Sequence, residues 1–452
     1  MNFENIKTIH FVGIGGIGMS GIAEILADRG LVVSGCDLKA SAMTDLLIGR
    51  GIPVTIGHDP VHLHGADLVV VTSAVKGYNV EIDSALQRGI PVVKRKEILG
   101  HIVNRKRTIG VSGTHGKTTT SAMIAVILEE AGLDPTVIIG GMLRNIGSNA
   151  KSGRGDFLVV EADEYDRTFH ELRPEIAVIT NVEADLLEYY GSFEAIVEAF
   201  RIFATRVKPG GAVIGCVDDP IVRDLLEKIS GATQKVIRYG LSDTADLRAT
   251  NIVYSELGST FEVPRVGGFR VFVPGEHNVR NALAAIAVAR ELGITTQATA
   301  AGLARFLGVD RRFQILGEFA GAIVVDDYAH HPTEIRATLT AARRGYPKRR
   351  VVALFQPHLY SRTRDFAVEF GESLLVADVA LVAPIYASRE QPIEGITSKL
   401  IADAVGGVEY LERSNDAIIE ELRRRLQPND LFIAMGAGDV HQIAEALVEG
   451  GR

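Results

Sequence analysis

The sequence contains only two cysteines, Cys36 and Cys216. Two are too few for a disulfide framework or for a zinc site built from cysteine alone. No apolar run approaches the ~18–20 residues that a membrane helix requires. Residues 1–8 are polar and charged, without the pattern of a signal peptide. We therefore expect a cytoplasmic protein that does not insert into membranes.

Positive charge is also in short supply, with 48 lysines and arginines against 56 aspartates and glutamates and a formal net charge of −8. Nucleic-acid binding depends on a basic surface, so this balance argues against nucleic-acid partners. A negative net charge is still compatible with a local basic pocket for a phosphorylated ligand. Hydrophobic residues make up 46% of the 452 residues, and a chain of this length has room for about three globular domains.

Strand-like and helix-like segments alternate along the sequence, which predicts an α/β fold. We place the domains at residues 1–106, 107–312 and 313–452, with Asp310–Phe313 as the joint before the last one.

A glycine-rich turn between a predicted strand and a predicted helix lies at the centre of the sequence. The β-favouring segment Thr108–Val111 leads into Ser112–Thr120, and Ser121–Ala131 favours a helix. In this setting backbone N–H groups and a helix N-terminus bind phosphate. Val111 stands where the general phosphate-loop pattern has its first glycine, so the loop is a variant. The predicted nucleotide-binding residues are Gly113, Thr114, His115, Gly116, Lys117, Thr118 and Thr119.

Within this turn, Lys117 would reach the β- and γ-phosphates and the Thr118 hydroxyl would hold magnesium. Carboxylates follow the short buried strand predicted at Phe157–Val160, and Glu161 comes first. Carboxylates at the carboxyl end of a strand beside a phosphate loop are natural magnesium ligands. We predict Glu161 as the ligand that accompanies Thr118; the alternative is a solvated acidic loop. Thr136–Ile139 is a further predicted strand, followed by a polar loop through Asn149.

A second glycine-rich turn, Gly-x-Gly-x-x-Gly at Gly13–Gly18, follows the strand predicted at Thr8–Val12. Asp37 lies where an acidic residue would meet a ribose hydroxyl. We consider three interpretations of this turn: a site for NAD, a site for another diphosphate, and an ordinary tight turn. Small residues follow the buried run Leu68–Val71, at the edge where open α/β sheets bind ligands. The candidate ligand-binding residues of this domain are Gly13, Gly15, Gly16, Ile17, Gly18, Asp37, Thr72, Ser73 and Ala74.

Two asparagines, Asn278 and Asn281, lie three residues apart on a predicted Ala-rich helix and so share one face. Their amides could bind adenine, or could cap the helix. In the last domain, polar residues follow the strands predicted at Ala322–Val325, Arg349–Phe355 and Leu431–Ala434. The adjacent His330 and His331 have no third histidine or cysteine at ligand spacing, so we predict no zinc site there.

Taken in order, these motifs resemble the muramyl ligases of peptidoglycan synthesis, and the resemblance covers essentially the whole chain. The segments that carry it are Ile9–Ser20, Ser112–Thr120, Glu161–Asp166, Gly275–Asn281, Asp326–Pro332 and Gln356–Asp365. The resemblance implies an N-terminal Rossmann-like domain, a central domain of the P-loop ATPase type and a C-terminal Rossmann-like domain. It also implies that the first domain binds a UDP-sugar rather than NAD.

The chemistry implied by the family is ATP-dependent formation of an amide bond, with Mg²⁺, through an acyl phosphate and with release of ADP. The expected substrates are UDP-N-acetylmuramate and L-alanine. One alternative is a muramyl ligase that uses a different amino acid or a preformed peptide. Another is a catalytically weak protein that binds a UDP-sugar or ATP. We expect a monomer or a homodimer.

Carried over by motif, Lys117 stabilises the transferring charge, and Thr118 and Glu161 hold magnesium. Asn278 and Asn281 approach adenine. The resemblance also assigns Arg312 to the phosphates and Asp327 to the ribose. It places His358 and Arg362 near the alanine, with Arg362 as the candidate for its carboxylate.

Two positions depart from the family pattern. Leu186 stands where a histidine usually serves a second magnesium ion, and Leu359 stands where several relatives carry arginine. Leucine cannot bind a cation, which calls the second magnesium site into question. The contact that the arginine makes in relatives cannot be transferred to Leu359.

Overall fold

The computed structural model describes residues 5–72, 74–75, 77–230, 234–388 and 390–450. The chain divides into two compact units. The first unit is Met1–Thr250, Val263–Gly267 and Arg280–Phe306, and the second unit is Asn251–Glu262, Gly268–Val279 and Leu307–Arg452.

The first unit opens with a five-stranded parallel sheet in the order β3-β2-β1-β4-β5. Its strands are β1 Thr8–Val12, β2 Val32–Asp37, β3 Val54–Ile56, β4 Leu68–Val71 and β5 Val92–Lys94. Its helices are α1 Ile17–Asp28, α2 Ala42–Gly49, a 3₁₀ helix at Pro60–Leu63, α3 Val80–Gln87 and α4 Arg95–Val103. All four residues of β4 are buried, as expected of a parallel strand covered on both faces. The strand predicted at Thr8–Val12 is confirmed.

An eight-stranded sheet follows, in the order β13-β12-β11-β10-β6-β9-β7-β8. Its strands are β6 Arg107–Ser112, β7 Thr136–Leu143, β8 Ser148–Lys151, β9 Phe157–Glu161, β10 Ile176–Ile179, β11 Ala212–Cys216, β12 Lys235–Gly240 and β13 Leu247–Arg248. The accompanying helices are α5 Lys117–Glu130, a 3₁₀ helix at Tyr165–Glu171, α6 Leu187–Tyr190, α7 Phe193–Thr205, α8 Pro220–Ile229, α9 Glu276–Glu291 and α10 Thr296–Arg305.

The prediction of a polar loop from Gly140 through Asn149 is wrong. Strand β7 continues to Leu143 and pairs antiparallel with β8 as a hairpin. At Gly140 the Glu161 carboxylate approaches the backbone closely, since a Cβ there would lie 2.6 Å from Glu161 Oε2. Ser148 and Asn149 are buried despite their polarity, and Ser148 donates a hydrogen bond to Glu24 of α1.

The second unit contains a three-stranded sheet and a six-stranded sheet, the latter in the order β17-β18-β22-β19-β20-β21. The strands are β14 Thr250–Ser255, β15 Gly258–Val263, β16 Gly267–Val271, β17 Gln314–Phe319, β18 Ala322–Asp327, β19 Arg350–Phe355, β20 Val379–Val382, β21 Val408–Tyr410 and β22 Asp430–Met435. The helices are α11 Pro332–Gly345, α12 Tyr360–Asp365, α13 Ala367–Leu374, α14 Lys399–Ala404, α15 Asn415–Arg425 and α16 His441–Glu449.

Only β17 runs antiparallel in the six-stranded sheet, and apolar clusters cover both of its faces. Pro332 is the first residue of α11, where its missing N–H costs nothing. Among the described residues, none of the helices is both long and apolar enough to cross a bilayer.

Candidate functional site

The central glycine turn lies at the carboxyl edge of the eight-stranded sheet, where β6 runs between β9 and β10. Gly113 has a φ of +141°, and a Cβ there would lie 1.9 Å from Thr180 Oγ1. Gly116 has a φ of +83°, and its Cβ would lie 2.6 Å from Asn281 Oδ1. Both positions therefore require glycine. Helix α5 begins at Lys117, four residues earlier than predicted, so Lys117 and Thr118 lie in its first turn.

Two residues after β10 hold the turn in place, and neither was predicted as a site residue. Thr180 Oγ1 donates a hydrogen bond of 2.6 Å to the His115 carbonyl. Asn181 Oδ1 accepts from the His115 N–H at 2.8 Å, and its Nδ2 donates to the His115 carbonyl at 3.0 Å. The His115 backbone is thus bracketed by one amide side chain, which leaves the turn little freedom.

The Lys117 ammonium group spans the turn. Its Nζ donates to the carbonyls of Gly113 and Thr114 and lies 2.9 Å from Glu164 Oε1. Burial opposes the charge, but the carboxylates of Glu164, Asp163 and Glu161 raise the pKa of Lys117 above its usual value. Burial raises the pKa of Glu164 to about 7, with Lys117 acting in the opposite direction. Lys117 is therefore a fixed cation at neutral pH.

The two predicted magnesium ligands meet directly. Thr118 Oγ1 donates to Glu161 Oε2 at 2.8 Å, and the same carboxylate oxygen accepts the Gly140 N–H at 2.7 Å. A hydroxyl and a carboxylate at the N-terminus of a helix are the hard oxygen ligands that Mg²⁺ prefers. The donor set fits this ion.

Asn278 and Asn281 both lie on α9, as their spacing predicted. Asn281 Oδ1 accepts from Thr120 Oγ1 at 3.2 Å and lies beside Gly116, so this asparagine packs against the central glycine turn. Asn278 Nδ2 donates to the Pro274 carbonyl at 2.7 Å, close to the start of the helix.

The first glycine turn borders a pocket of about 680 Å³ at the carboxyl edge of the five-stranded sheet. Asp37 Oδ2 accepts the Gly15 N–H at 2.9 Å, so this carboxylate fixes the turn. The predicted residues Gly13, Gly15, Gly16, Asp37, Thr72 and Ala74 line the pocket, and so do Lys39, Ser41, His58, Tyr78 and Asn79, which were not predicted.

The other predicted residues of this turn lie on α1. Ile17 begins the helix, and Gly18 lies against Arg95, since a Cβ on Gly18 would come 2.5 Å from Nη1 of that arginine. The predicted residue Ser73 lies outside the described residues.

In the second unit, Asp327 and Met435 end adjacent parallel strands, and Phe355 ends the next strand. The buried Asp327 carboxylate accepts the Phe313 and Ala329 N–H groups, each at 2.8 Å. Burial raises the pKa of Asp327 to about 6.

The remaining candidates of this unit lie just before β17, on the loop after β19 and on α12. Arg312 lies over the Tyr328 ring, and its Nη1 is 3.6 Å from Glu334 Oε1. The rings of His358 and His330 have centroids 6.2 Å apart, and Arg362 lies on α12. The structure thus places Arg312, Asp327, His358 and Arg362 at one end of the six-stranded sheet.

Both leucines that depart from the family pattern adopt left-handed or otherwise positive φ. Leu186 has a φ of +58° and packs against the apolar cluster of the first unit. Leu359 has a φ of +73° and is buried. Leu186 thus makes an apolar contact and Leu359 lies in the interior.

Three family models match the chain in order. They are "Mur ligase family, catalytic domain" over residues 8–107, "Mur ligase middle domain" over 111–289 and "Mur ligase, glutamate ligase domain" over 311–438. A UDP-N-acetylmuramate–L-alanine ligase of Syntrophotalea carbinolica is 46% identical over 99% of this chain and 98% of its own length. The chain belongs to the Mur ligase family. A ligase of the same name from Salinibacter ruber is 45% identical over 98% of this Mur ligase and 95% of its own length.

Solved structures agree with this assignment. The UDP-N-acetylmuramate-alanine ligase MurC of Thermotoga maritima has a TM-score of 0.84 and 31% identity, with 98% of each chain covered. A murein peptide ligase of Psychrobacter arcticus has a TM-score of 0.73 and 28% identity, also with 98% of each chain covered. The predicted α/β architecture of three successive domains is confirmed by these matches. The predicted boundaries at residues 106 and 312 stay predictions.

Proposed function

We propose that this Mur ligase joins L-alanine to UDP-N-acetylmuramate in peptidoglycan precursor synthesis, with cleavage of ATP to ADP and phosphate. The observation that carries the proposal is the full-length likeness, at about 45% identity, to relatives named for this reaction. The phosphate turn around Lys117 supplies the ATP site that such a reaction needs.

The reaction has two steps. A carboxylate oxygen of the muramoyl group attacks the γ-phosphorus of ATP, and the bond to ADP breaks. The alanine amine then attacks the acyl carbon of the resulting acyl phosphate, the amide bond forms, and phosphate leaves. Oxide is a poor leaving group and phosphate is a good one, so phosphorylation makes the carboxylate a competent acyl donor. The protein's task is to position anionic groups and to offset their charge.

Different residues of the central domain perform different parts of this task. Lys117 binds the transferring phosphoryl group and stabilises the charge that develops on it, because its ammonium group is fixed in the turn. Thr118 and Glu161 would hold Mg²⁺, which supplies further positive charge at the phosphates. Asn281, beside the turn, is the better-placed of the two asparagines assigned to adenine. We keep Asn278 in the same role.

The remaining roles concern the two outer domains. The residues around Gly13 and Asp37 bind the UDP-sugar, and the pocket of about 680 Å³ is the place for it. Arg312, at the joint before the last domain, contacts phosphates. In the last domain Asp327 contacts the ribose, and His358 and Arg362 contact the alanine. We keep the domain boundaries 1–106, 107–312 and 313–452, a cytoplasmic location, and a monomer or homodimer as parts of this proposal.

The test is phosphate release from ATP with UDP-N-acetylmuramate, Mg²⁺ and one acceptor at a time. The acceptors are L-alanine, glycine, L-serine, D-alanine and a preformed peptide, since a murein peptide ligase also resembles this chain. We expect the highest kcat/KM with L-alanine. A higher value with the peptide would favour the peptide ligase, and no acceptor-dependent release would contradict the proposal.

A further inference from the structure

A cluster of metal-ligating side chains lies beneath the first glycine turn, and the proposed reaction uses none of its members. His10 comes from β1, Cys36 from β2, His62 from the 3₁₀ helix Pro60–Leu63, and Glu81 from α3. One nitrogen, sulfur or oxygen atom from each of the four lies within 4.8 Å of the others. His10, Cys36 and Glu81 are buried, and His62 is half-buried.

The Glu81 carboxylate is the centre of this cluster. Its Oε2 accepts from Cys36 Sγ at 2.8 Å. Its Oε1 lies 2.6 Å from His62 Nδ1 and accepts the Asp59 N–H at 3.0 Å. His58 Nδ1 also lies 3.5 Å from Oε2 and 3.2 Å from Cys36 Sγ. A buried carboxylate is costly unless it is compensated, and these neighbours together compensate it.

His10 points into the cluster with an uncompensated nitrogen. The residue is 2% exposed, its Nδ1 lies 2.9 Å from Ser34 Oγ, and its Nε2 makes no hydrogen bond. This Nε2 is 3.6 Å from Glu81 Oε2. Leaving a buried polar atom unpaired costs about 1–3 kcal/mol.

The contact with Ser34 determines what Nε2 can do. When Nδ1 carries the proton and donates it to Ser34 Oγ, Nε2 presents its lone pair to the cluster. Metal-binding histidines are held in this way, with the second ring nitrogen donating to a neighbouring group.

We propose that His10, Cys36, His62 and Glu81 form a binding site for a soft divalent cation, for which zinc is the best match. Two imidazole nitrogens, one thiolate and one carboxylate oxygen make up a four-ligand set of the kind that zinc takes in proteins. The thiolate and the carboxylate carry two negative charges, which neutralise the dication. The occupied site is therefore without net charge, as burial demands.

Binding requires a balanced movement of protons. Cys36 donates to Glu81 in the ion-free site, so its thiol proton is released to solvent when the sulfur binds the cation. His62 remains neutral, and its proton moves from Nδ1 to Nε2 when Nδ1 becomes the ligand. No oxidant or reductant takes part.

The position of the site gives the cation a structural role. The Cys36 carbonyl accepts the N–H groups of Gly13 at 2.9 Å and Ile14 at 3.0 Å. The next residue, Asp37, holds Gly15. A cation would thus tie together β1, β2, the 3₁₀ helix and α3, and we expect it to stabilise the floor of the ligand pocket.

The experiment is a titration of the chelator-treated, full-length protein with Co²⁺, followed by absorption spectroscopy. A thiolate ligand gives a sulfur-to-cobalt charge-transfer band, which the oxygen-only site at Thr118 and Glu161 cannot give. Wild type should show this band together with the visible bands of tetrahedral cobalt, and stoichiometric Zn²⁺ should remove both.

Matched variants assign the ligands. Cys36→Ser should lose the charge-transfer band, while Cys216→Ser should keep it, because Cys216 is also buried and free but lies outside the cluster. His10→Gln should weaken Zn²⁺ binding by about tenfold or more. It also provides an independent test should Cys36→Ser fail to fold. Zn²⁺ should raise the Tm of wild type and of Cys216→Ser.

Three results would overturn the proposal. They are the absence of the charge-transfer band from folded wild type, its loss in Cys216→Ser with retention in Cys36→Ser, and Zn²⁺ affinity that is unchanged in folded His10→Gln.

Discussion

Replacing Lys117 by alanine tests the assignment of the phosphate turn. Lys117 and Glu164 have side-chain exposures of only 13% and 10%, and their charged atoms lie 2.9 Å apart. Removing one partner of a buried ion pair ordinarily costs about 3–5 kcal/mol of stability. Here the cost is smaller, because Glu164 already has a pKa of about 7 and Lys117 is the main influence that lowers it. Without the lysine, Glu164 takes up a proton at neutral pH and is no longer an unpaired charge.

Catalysis should suffer far more than stability. Losing a fixed charge stabiliser at a transferring phosphoryl group costs roughly 10²-fold or more in kcat, or about 3 kcal/mol of transition-state free energy. The substitution should cost less than about 3 kcal/mol in the free energy of unfolding, since protonation of Glu164 limits the penalty. Lys117→Ala should therefore be a folded protein with little activity.

The assay is phosphate release under saturating substrates, with circular dichroism and urea unfolding of the same samples. Lys151→Ala is the matched control, because Lys151 also pairs with two carboxylates, Glu129 and Asp134, but is 32% exposed and outside the turn. The control should retain activity within about twofold of wild type. Near-normal turnover in folded Lys117→Ala would refute the role assigned to this lysine.

Further predictions follow from other parts of the site. Thr118→Val removes the hydroxyl bonded to Glu161 and should raise the Mg²⁺ concentration needed for half-maximal rate; an unchanged Mg²⁺ titration would refute this ligand assignment. Leu186→His should lower that concentration or raise the maximal rate, and histidine tolerates the positive φ of +58° at this position; identical titrations would show that residue 186 is not limiting. Burial raises the pKa of Asp327 to about 6. The protonated side chain is thus favoured in the folded state, and its stabilising contribution is complete below about pH 4 and is lost as the pH rises through about 6. Asp327→Asn should therefore remove up to about 3 kcal/mol of this pH dependence in urea unfolding between pH 4 and 7, and an unaltered slope would contradict the burial argument. In calorimetry, the full-length protein should bind UDP-N-acetylmuramate and not NAD; the reverse would overturn the role of the first domain.

Local sequence patterns predicted much of the conformation of the glycine turn around Lys117. Glycines that need positive φ, such as Gly116, and apolar runs such as Leu68–Val71 are signals within a few residues. The predicted magnesium pair, Thr118 and Glu161, also meets in the structure, because parallel strands bring their carboxyl ends to one edge.

Features that depend on contacts between distant segments were not predictable in this way. Gly140 falls in the segment predicted as a polar loop, whereas it lies in a strand that the Glu161 carboxylate approaches closely. The pairing of Glu164 with Lys117 and the bracket formed by Asn181 also depend on tertiary packing. The four residues of the proposed cation site lie at sequence separations that match no metal-binding spacing, and only the fold brings them together.

Transfer of an oxygen atom from substrate to phosphate tests the central claim most directly. UDP-N-acetylmuramate is labelled with ¹⁸O in the muramoyl carboxylate and is converted with ATP, Mg²⁺ and L-alanine, and the phosphate is analysed by mass spectrometry. If the carboxylate attacks the γ-phosphorus, one labelled oxygen bridges the acyl phosphate and leaves with the phosphate when the amide forms. We predict one ¹⁸O in each phosphate and one in each product amide. Unlabelled phosphate formed together with the amide product would contradict the acyl-phosphate mechanism.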